Sequence, residues 1–222
     1  MQAQDSTTLF FLKLWPWVEA NKNRLIAGAA IVVFAIFIIW YMDCQREAKE
    51  VSAGQALTQV AMANGGSSSD AYLQVAARYP STMAGQRAML LGAAALFDTG
   101  NFAGAQAQFQ KFLDEHPDGE FSGQAALGVA ESLDAQGKTD LAVGAYQRVI
   151  NSVSDAMVTS TAKFGLARID ESQGKFNDAL GLYQDVANAN SGSSLGSEAG
   201  VRLMELRGKT APAPAPALKP GQ

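Results

Sequence analysis

The sequence predicts an all-α protein in which one transmembrane helix precedes a stack of antiparallel helix pairs. Two observations lead to this prediction. Gly100, Gly137 and Gly174 lie 37 residues apart, and each opens a similar phrase. A fixed period of about 20 to 50 residues is typical of stacked repeats. Residues 25–42 form an apolar run without a charged side chain.

The apolar run at 25–42 predicts a membrane span. Eighteen residues are just enough to cross a hydrocarbon core of about 30 Å as a helix. Tryptophan favours the headgroup level, and every tryptophan of the chain lies in or beside this run: Trp15, Trp17 and Trp40. Three basic residues precede the run and two follow closely, which favours a cytoplasmic amino terminus. Residues 1–24 are therefore predicted as a cytoplasmic or interfacial arm.

Alternative interpretations of the amino-terminal region stay open. A cleavable signal peptide has a shorter apolar stretch and a small-residue cleavage site, so we favour an uncleaved signal anchor. In a lipoprotein, Cys44 would be the acylated residue. The residues before an acylated cysteine are usually small, whereas Tyr41 is large and Asp43 is acidic. A buried core helix is a further alternative, which the aromatic and basic flanks disfavour. Segment 7–19 is either an interfacial segment or a partner-binding arm.

The repeats are predicted to occupy residues 43–208. In one unit the first helix covers about 86–99, Gly100 ends it, and the second helix covers about 102–115. Pro80 and Pro117 each follow a second helix. The units are predicted at about 49–85, 86–122, 123–159 and 160–196, with a turn at 65–69. A capping helix is predicted at 197–208, and its first-helix pattern covers Ser197–Arg207.

Small and aromatic residues recur at fixed places in the second helices. They are Ala105, Ala142 and Ala179, followed one turn later by Phe109, Tyr146 and Tyr183. The alanines let two helix backbones approach closely, and the aromatic rings fill the space between neighbouring repeats. Stacking of a substrate on these rings is the alternative interpretation.

The sequence carries no pattern typical of an enzyme. His116 is the only histidine and Cys44 the only cysteine, so the usual zinc sites and catalytic triads are excluded. The formal net charge is −4 with interspersed charges, which argues against nucleic-acid binding. We therefore expect no catalytic residue, no metal, no cofactor and no small-molecule substrate. Residues 209–222 alternate proline and alanine and are predicted as a disordered tail.

The glycine, alanine, aromatic and proline positions of each unit resemble the tetratricopeptide repeat, whose usual period is about 34. The three extra residues are expected in longer connections at 118–122, 151–159 and 188–196. The resemblance implies a tetratricopeptide-like α-solenoid whose first helices line a concave, protein-binding face. Carried onto this sequence, that face contains Arg87, Leu90, Ala94, Phe97, Gln124, Leu127, Glu131, Asp134, Phe164, Arg168 and Glu171. The alternative is that these residues are only amphipathic helix surface.

A narrower resemblance rests on the junction at about 20–60. The phrase N-K-N-R-L-I-A-G-A-A-I-V-V-F, followed by A-x-x-A-L and degenerate repeats, resembles the ancillary SecYEG translocon subunit family, the YfgM-like proteins. This resemblance implies a bacterial inner-membrane protein with a periplasmic repeat domain. It further implies partners: the SecYEG-type channel, a PpiD-like chaperone and unfolded clients. The alternative function is a scaffold for another cell-envelope complex, such as outer-membrane protein insertion or cell-wall synthesis; a third is an enzyme with an unrecognised site.

Overall fold

The computed structural model describes residues 19–63 and 68–210, and these residues are helical with short connections. No strand occurs among them, so the all-α prediction is confirmed for this part of the chain. The chain divides into two compact units between Ser52 and Ala53. Residues 1–18 of the predicted arm, 65–67 of the predicted turn and 211–222 of the predicted tail lie outside the described residues. The tail prediction is wrong at Lys209 and Thr210, which belong to the last helix.

The first unit contains one long helix, α1 (Lys22–Ala63), which continues beyond Ser52. Its large apolar side chains from Ile31 to Met42 are between 42% and 70% exposed, and they point to all sides of the helix. Cys44 is also exposed. Within the described part of the chain, no helix combines the length and the apolar character that a bilayer crossing requires.

The predicted span at 25–42 is therefore unsupported by the described helices and stays a prediction. Three of its members, Leu25, Ile26 and Ala29, have side chains outside the described set.

The second unit is a stack of helix pairs. After the end of α1, its helices are α2 (Ser69–Arg78), α3 (Met83–Asp98), α4 (Phe102–Glu115), α5 (Ser122–Ala135), α6 (Thr139–Ser152), α7 (Ala156–Ser172), α8 (Phe176–Ala189) and α9 (Ser194–Thr210). From α2 onward each helix packs on the next one in the chain, and α5 also contacts both α3 and α7. Contacts only between neighbouring repeats are typical of a solenoid, so the predicted architecture is confirmed for this unit.

The second helix of each pair repeats with the predicted period. α4, α6 and α8 begin at residues 102, 139 and 176 and end at 115, 152 and 189. α4 has the bounds predicted from the sequence. The first helices are less regular, because α3 begins at Met83 rather than residue 86 and α9 covers Ser194–Thr210 rather than Ser197–Arg207.

The prediction of longer connections at 151–159 and 188–196 is wrong. The connections there are only residues 153–155 and 190–193, because the additional residues lengthen the following first helix. Asp155 explains the early start of α7: its Oδ1 accepts hydrogen bonds from the N–H groups of Met157 (2.8 Å) and Val158 (3.0 Å). A carboxylate in this place satisfies amides that have no partner inside the helix.

Glycine ends three first helices in the same way, as predicted. The φ angles are +81° at Gly100, +71° at Gly137 and +75° at Gly174. At the first of these, the Gly100 N–H donates to the Phe97 carbonyl and the Asn101 N–H donates to the Leu96 carbonyl, both at 2.9 Å. This pair of bonds is the Schellman motif, which requires a left-handed residue that glycine supplies without a Cβ clash.

The core of the second unit consists of small residues and aromatic rings between neighbouring repeats. The three alanines that recur in the second helices, Ala105, Ala142 and Ala179, are fully buried, and the aromatic residues that follow them, Phe109, Tyr146 and Tyr183, are at most 8% exposed. The core-packing role predicted for these residues is confirmed. One cluster of buried residues extends from Met89 to Ile169, and a second from Phe164 to Leu206.

Candidate functional site

The first helices α3, α5 and α7 border a cleft of about 330 Å³. We call it the α3–α5–α7 cleft. Its lining comes from Phe97 of α3, Glu131, Asp134 and Ala135 of α5, Tyr146 of α6, and Thr161, Phe164, Gly165 and Arg168 of α7. The lining therefore combines three aromatic rings with two carboxylates and one guanidinium, close to the carboxyl-terminal turns of α3 and α5.

The aromatic rings of the cleft are fixed by packing. The Phe97 ring lies edge-on to Phe102 with centroids 5.0 Å apart, and the Phe164 ring lies edge-on to Tyr183 at 5.5 Å. Edge-to-face pairs at these separations are favourable because the ring edge is positive and the ring face negative. The rings thus present preformed apolar walls.

Tyr146 is positioned by a glycine of the next repeat. A Cβ atom on Gly165 would lie only 2.6 Å from the Tyr146 Cζ, so the ring fills the space that a side chain would occupy. Gly128 has the same relation to Phe109, one period earlier. Burial raises the pKa of the Tyr146 hydroxyl, and the charges of Asp134 and Glu131 raise it further. The hydroxyl is therefore neutral at physiological pH.

The charged groups of the cleft are unequally paired. Arg168 Nη2 lies 4.0 Å from Asp134 Oδ2, in a pair whose arginine is 59% exposed. Such a pair contributes little stability because water screens it. Glu131 is half-buried, and burial raises the pKa of its carboxyl; Arg168 lowers this pKa and Asp134 raises it. The cleft thus contains a carboxylate that forms no ion pair with another described residue, although Arg168 lies near it.

A second, more polar cleft of about 520 Å³ adjoins the first and shares Asp134 and Arg168 with it. The remaining lining is Ile169, Glu171, Ser172 and Arg202. Glu171 is already satisfied, because its Oε2 accepts a hydrogen bond from the Tyr183 hydroxyl (3.0 Å) and its Oε1 lies 3.6 Å from Lys209 Nζ.

The family assignment rests on the sequence profile of the "Tetratricopeptide repeat-like domain", which matches residues 16–143 and 109–195. The chain belongs to this family. Tetratricopeptide-like arrays are protein-binding scaffolds, and stacked helical repeats of this kind are typical of proteins without enzymatic activity. This match shows the repeat domain and does not show membership of the YfgM-like family.

Other comparisons add little to the family assignment. No curated protein sequence matches this chain significantly. Among solved structures, this chain is similar to the "Crystal structure of BtubC (BKLC) from P. vanneervenii", with a TM-score of 0.49 and 16% identity. The similarity covers 74% of this chain and 66% of the other.

The tetratricopeptide-like array brings five of the eleven predicted concave-face residues into one cleft: Phe97, Glu131, Asp134, Phe164 and Arg168. Glu171 lines the adjoining cleft. The others lie outside both clefts. Arg87 and Gln124 are exposed, Leu127 is half-buried against the core, and Leu90 is buried in it. Leu90 and Phe164 are each 8% exposed, so only a small part of each side chain is accessible.

Sequence reasoning missed several lining residues, among them Ala135, Thr161 and Tyr146. The sequence predicts Tyr146 as a core residue, and its ring both packs on Gly165 and lines the cleft. The signal that would have found this arrangement is the 37-residue spacing of Gly128 and Gly165. Among the described residues, no group of three or more His, Cys, Asp or Glu side chains is placed to hold a metal ion.

Proposed function

We propose that the protein is a membrane-attached scaffold that binds polypeptides in the α3–α5–α7 cleft. The observation that carries this proposal is the cleft itself, in which fixed aromatic walls and charged groups come from three successive repeats. A polypeptide offers the same mixture of apolar and charged groups along its length. The family assignment supports this choice over an enzymatic function.

A crosslinking experiment tests the proposed binding face. A photoreactive amino acid at Ala135, which is exposed and lines the cleft, should capture a polypeptide in cells. The matched control is the same amino acid at Ala107, which is exposed on the second helix α4 and lines no part of this cleft. Equal capture at the two positions, or none at Ala135, would show that the cleft is not the binding face.

The proposal includes one membrane crossing by residues 25–42, with the amino terminus in the cytoplasm and the repeats in the periplasm of a bacterial inner membrane. The apolar run and its exposed side chains from Ile31 to Met42 support it, since a helix that is apolar on all sides needs an apolar surrounding. A reporter enzyme that works only outside the cytoplasm should be active when fused after Gln222 and inactive when fused after Ala20. The reverse pattern would overturn this topology.

The partner that we propose is the Sec translocon, together with a periplasmic chaperone that assists newly crossing proteins. The resemblance of the junction at about 20–60 to the YfgM-like family supports it. Extraction in a gentle detergent followed by identification of copurifying proteins should recover the channel subunits. Recovery of an outer-membrane insertion or cell-wall synthesis complex instead would favour the alternative envelope function.

A further inference from the structure

The carboxylates of the α3–α5–α7 cleft lie one helical turn apart on α5. Positions i and i+3 of a helix face the same side, so Glu131 and Asp134 point into the same space. Arg168 lies near Asp134, at 4.0 Å. No described residue donates a hydrogen bond to the Glu131 carboxylate. Two carboxylates and one guanidinium leave the cleft with a formal charge of −1.

The helix ends strengthen this negative character. Asp134 lies next to the last residue of α5, and Phe97 lies next to the last residue of α3. The carboxyl-terminal end of a helix carries partial negative charge, which attracts cations and repels anions. The helix ends and the acidic side chains therefore both favour a positively charged ligand.

The apolar part of the cleft determines how large the bound group is. A space of about 330 Å³ is at the small end of the range of roughly 300–1,000 Å³ for ligand sites. The rings of Phe97, Tyr146 and Phe164 border this space. It accommodates one or two side chains of an extended segment and excludes a folded domain.

We propose that the cleft recognises an extended polypeptide segment in which a large apolar residue is followed by lysine or arginine. The apolar side chain contacts the half-buried Phe97 ring and the exposed edges of Tyr146 and Phe164, and the cation lies between Glu131 and Asp134. This inference rests on the proposed polypeptide-binding function and adds the chemistry of the bound segment. A cation in that position also favours the charged form of a half-buried carboxylate.

Three synthetic octapeptides test this preference on the full chain in detergent. Their central pairs are Leu-Lys, Leu-Glu and Gly-Lys, and the remaining positions are identical. Fluorescence anisotropy should show that the Leu-Lys peptide binds at least about tenfold more tightly than the Leu-Glu peptide, since a hydrogen bond to a charged group is worth at least that factor. The Gly-Lys peptide should also bind more weakly, because it leaves the aromatic rings uncovered.

A pair of variants assigns the preference to the cleft. Glu131→Gln should weaken binding of the Leu-Lys peptide by about tenfold, because the amide keeps the shape and loses the charge. Glu120→Gln makes the same change in net charge at an exposed residue in the connection before α5, and should leave binding unchanged. An equal loss in both variants would overturn the proposal.

A photoreactive amino acid at Ala135 separates the remaining outcomes. If all three peptides bind with equal affinity and crosslink at Ala135, the proposed sequence preference is wrong and the polypeptide-binding function stands. If no peptide crosslinks there, both are wrong. If Ala135 captures residues 211–222 of the chain itself, the tail is the occupant, and the inference of a foreign segment is wrong.

Discussion

Single residues decide how closely neighbouring repeats approach. At Gly128 and Gly165 the aromatic ring of the preceding second helix occupies the place of a side chain, whereas Gly144 and Gly181 face open space. A glycine in a helix is normally unfavourable by about 1 kcal/mol relative to alanine. The two groups should therefore respond to substitution with opposite signs.

Gly128→Ala and Gly165→Ala should each destabilise the protein by about 1–3 kcal/mol, the usual cost of overpacking a core. The rigid rings of Phe109 and Tyr146 cannot move away without disturbing the next helix. The measurement is the free energy of unfolding in urea for the full chain. Gly144→Ala and Gly181→Ala are the controls, with an expected gain of up to about 1 kcal/mol. Destabilisation by all four would contradict this account of the interface.

Glu131 links binding and stability at the scale of one carboxyl group. Burial raises its pKa in the folded protein above the value in the unfolded chain. The folded state therefore holds this proton more tightly, so the contribution of Glu131 to the free energy of unfolding falls as pH rises from the unfolded pKa of about 4.3 through the higher folded pKa.

Glu131→Gln should therefore make the protein more stable at pH 7. This advantage should shrink as the pH falls through the folded pKa and vanish below the unfolded pKa, where both side chains are uncharged. Thermal unfolding at a series of pH values measures the difference, with Glu120→Gln as the reference variant. A Glu131→Gln protein that is less stable at pH 7 would show that the carboxylate is satisfied in the folded state.

Helices as elements differ in how their ends are specified. The ends of the first helices follow from glycine in the Schellman position, and the second helices repeat their bounds at α4, α6 and α8. α7 begins instead where Asp155 caps it, and α6 follows Lys138, whose side chain makes no capping hydrogen bond.

Asp155→Ala should destabilise the protein by about 1 kcal/mol, because the amides of Met157 and Val158 lose their acceptor. Lys138→Ala should change stability much less, since no capping bond is removed. The comparison is made by the midpoints of urea unfolding. Equal effects of the two substitutions would contradict the capping role.

The same elements show what the sequence could predict. Glycine and proline end helices through their own backbone conformations, so the second helix at 102–115 could be placed from the sequence. The start of α7 depends on whether a carboxylate at 155 accepts hydrogen bonds from two amides, and the spacing of the repeats does not reveal this.

The lining of the cleft could be predicted only in part. The expectation that first helices line the concave face correctly includes Phe97, Glu131 and Arg168. It also includes Leu90, which is buried because α3 packs against α2, α4 and α5. Tyr146 lies on a second helix, so an expectation restricted to first helices could not include it.

At the scale of the second unit, stability should be a sum of contributions from neighbouring repeats. The two clusters of buried residues divide its core, and Phe164, Tyr183 and Leu206 belong to the carboxyl-terminal one. Local opening of that end is therefore possible without opening of the repeats before it.

Leu206→Ala should cost roughly 2–5 kcal/mol, because it leaves a cavity at a fully buried position. Hydrogen exchange should lose protection in α8 and α9, while the amides of α4 and α5 keep theirs. Phe112→Ala, which opens the other cluster, should instead lower protection in α4 and α5. Uniform loss of protection along the unit in either variant would show a single cooperative core.

The solitary thiol of Cys44 is exposed, two residues beyond the apolar run. The native protein therefore accepts one spin label or one polarity-sensitive fluorophore without any mutagenesis. If residues 25–42 cross a bilayer, that label lies at the depth of the lipid glycerol groups. In reconstituted vesicles, comparing how strongly a water-soluble quencher and an acyl-chain quencher act on the label would then measure its depth.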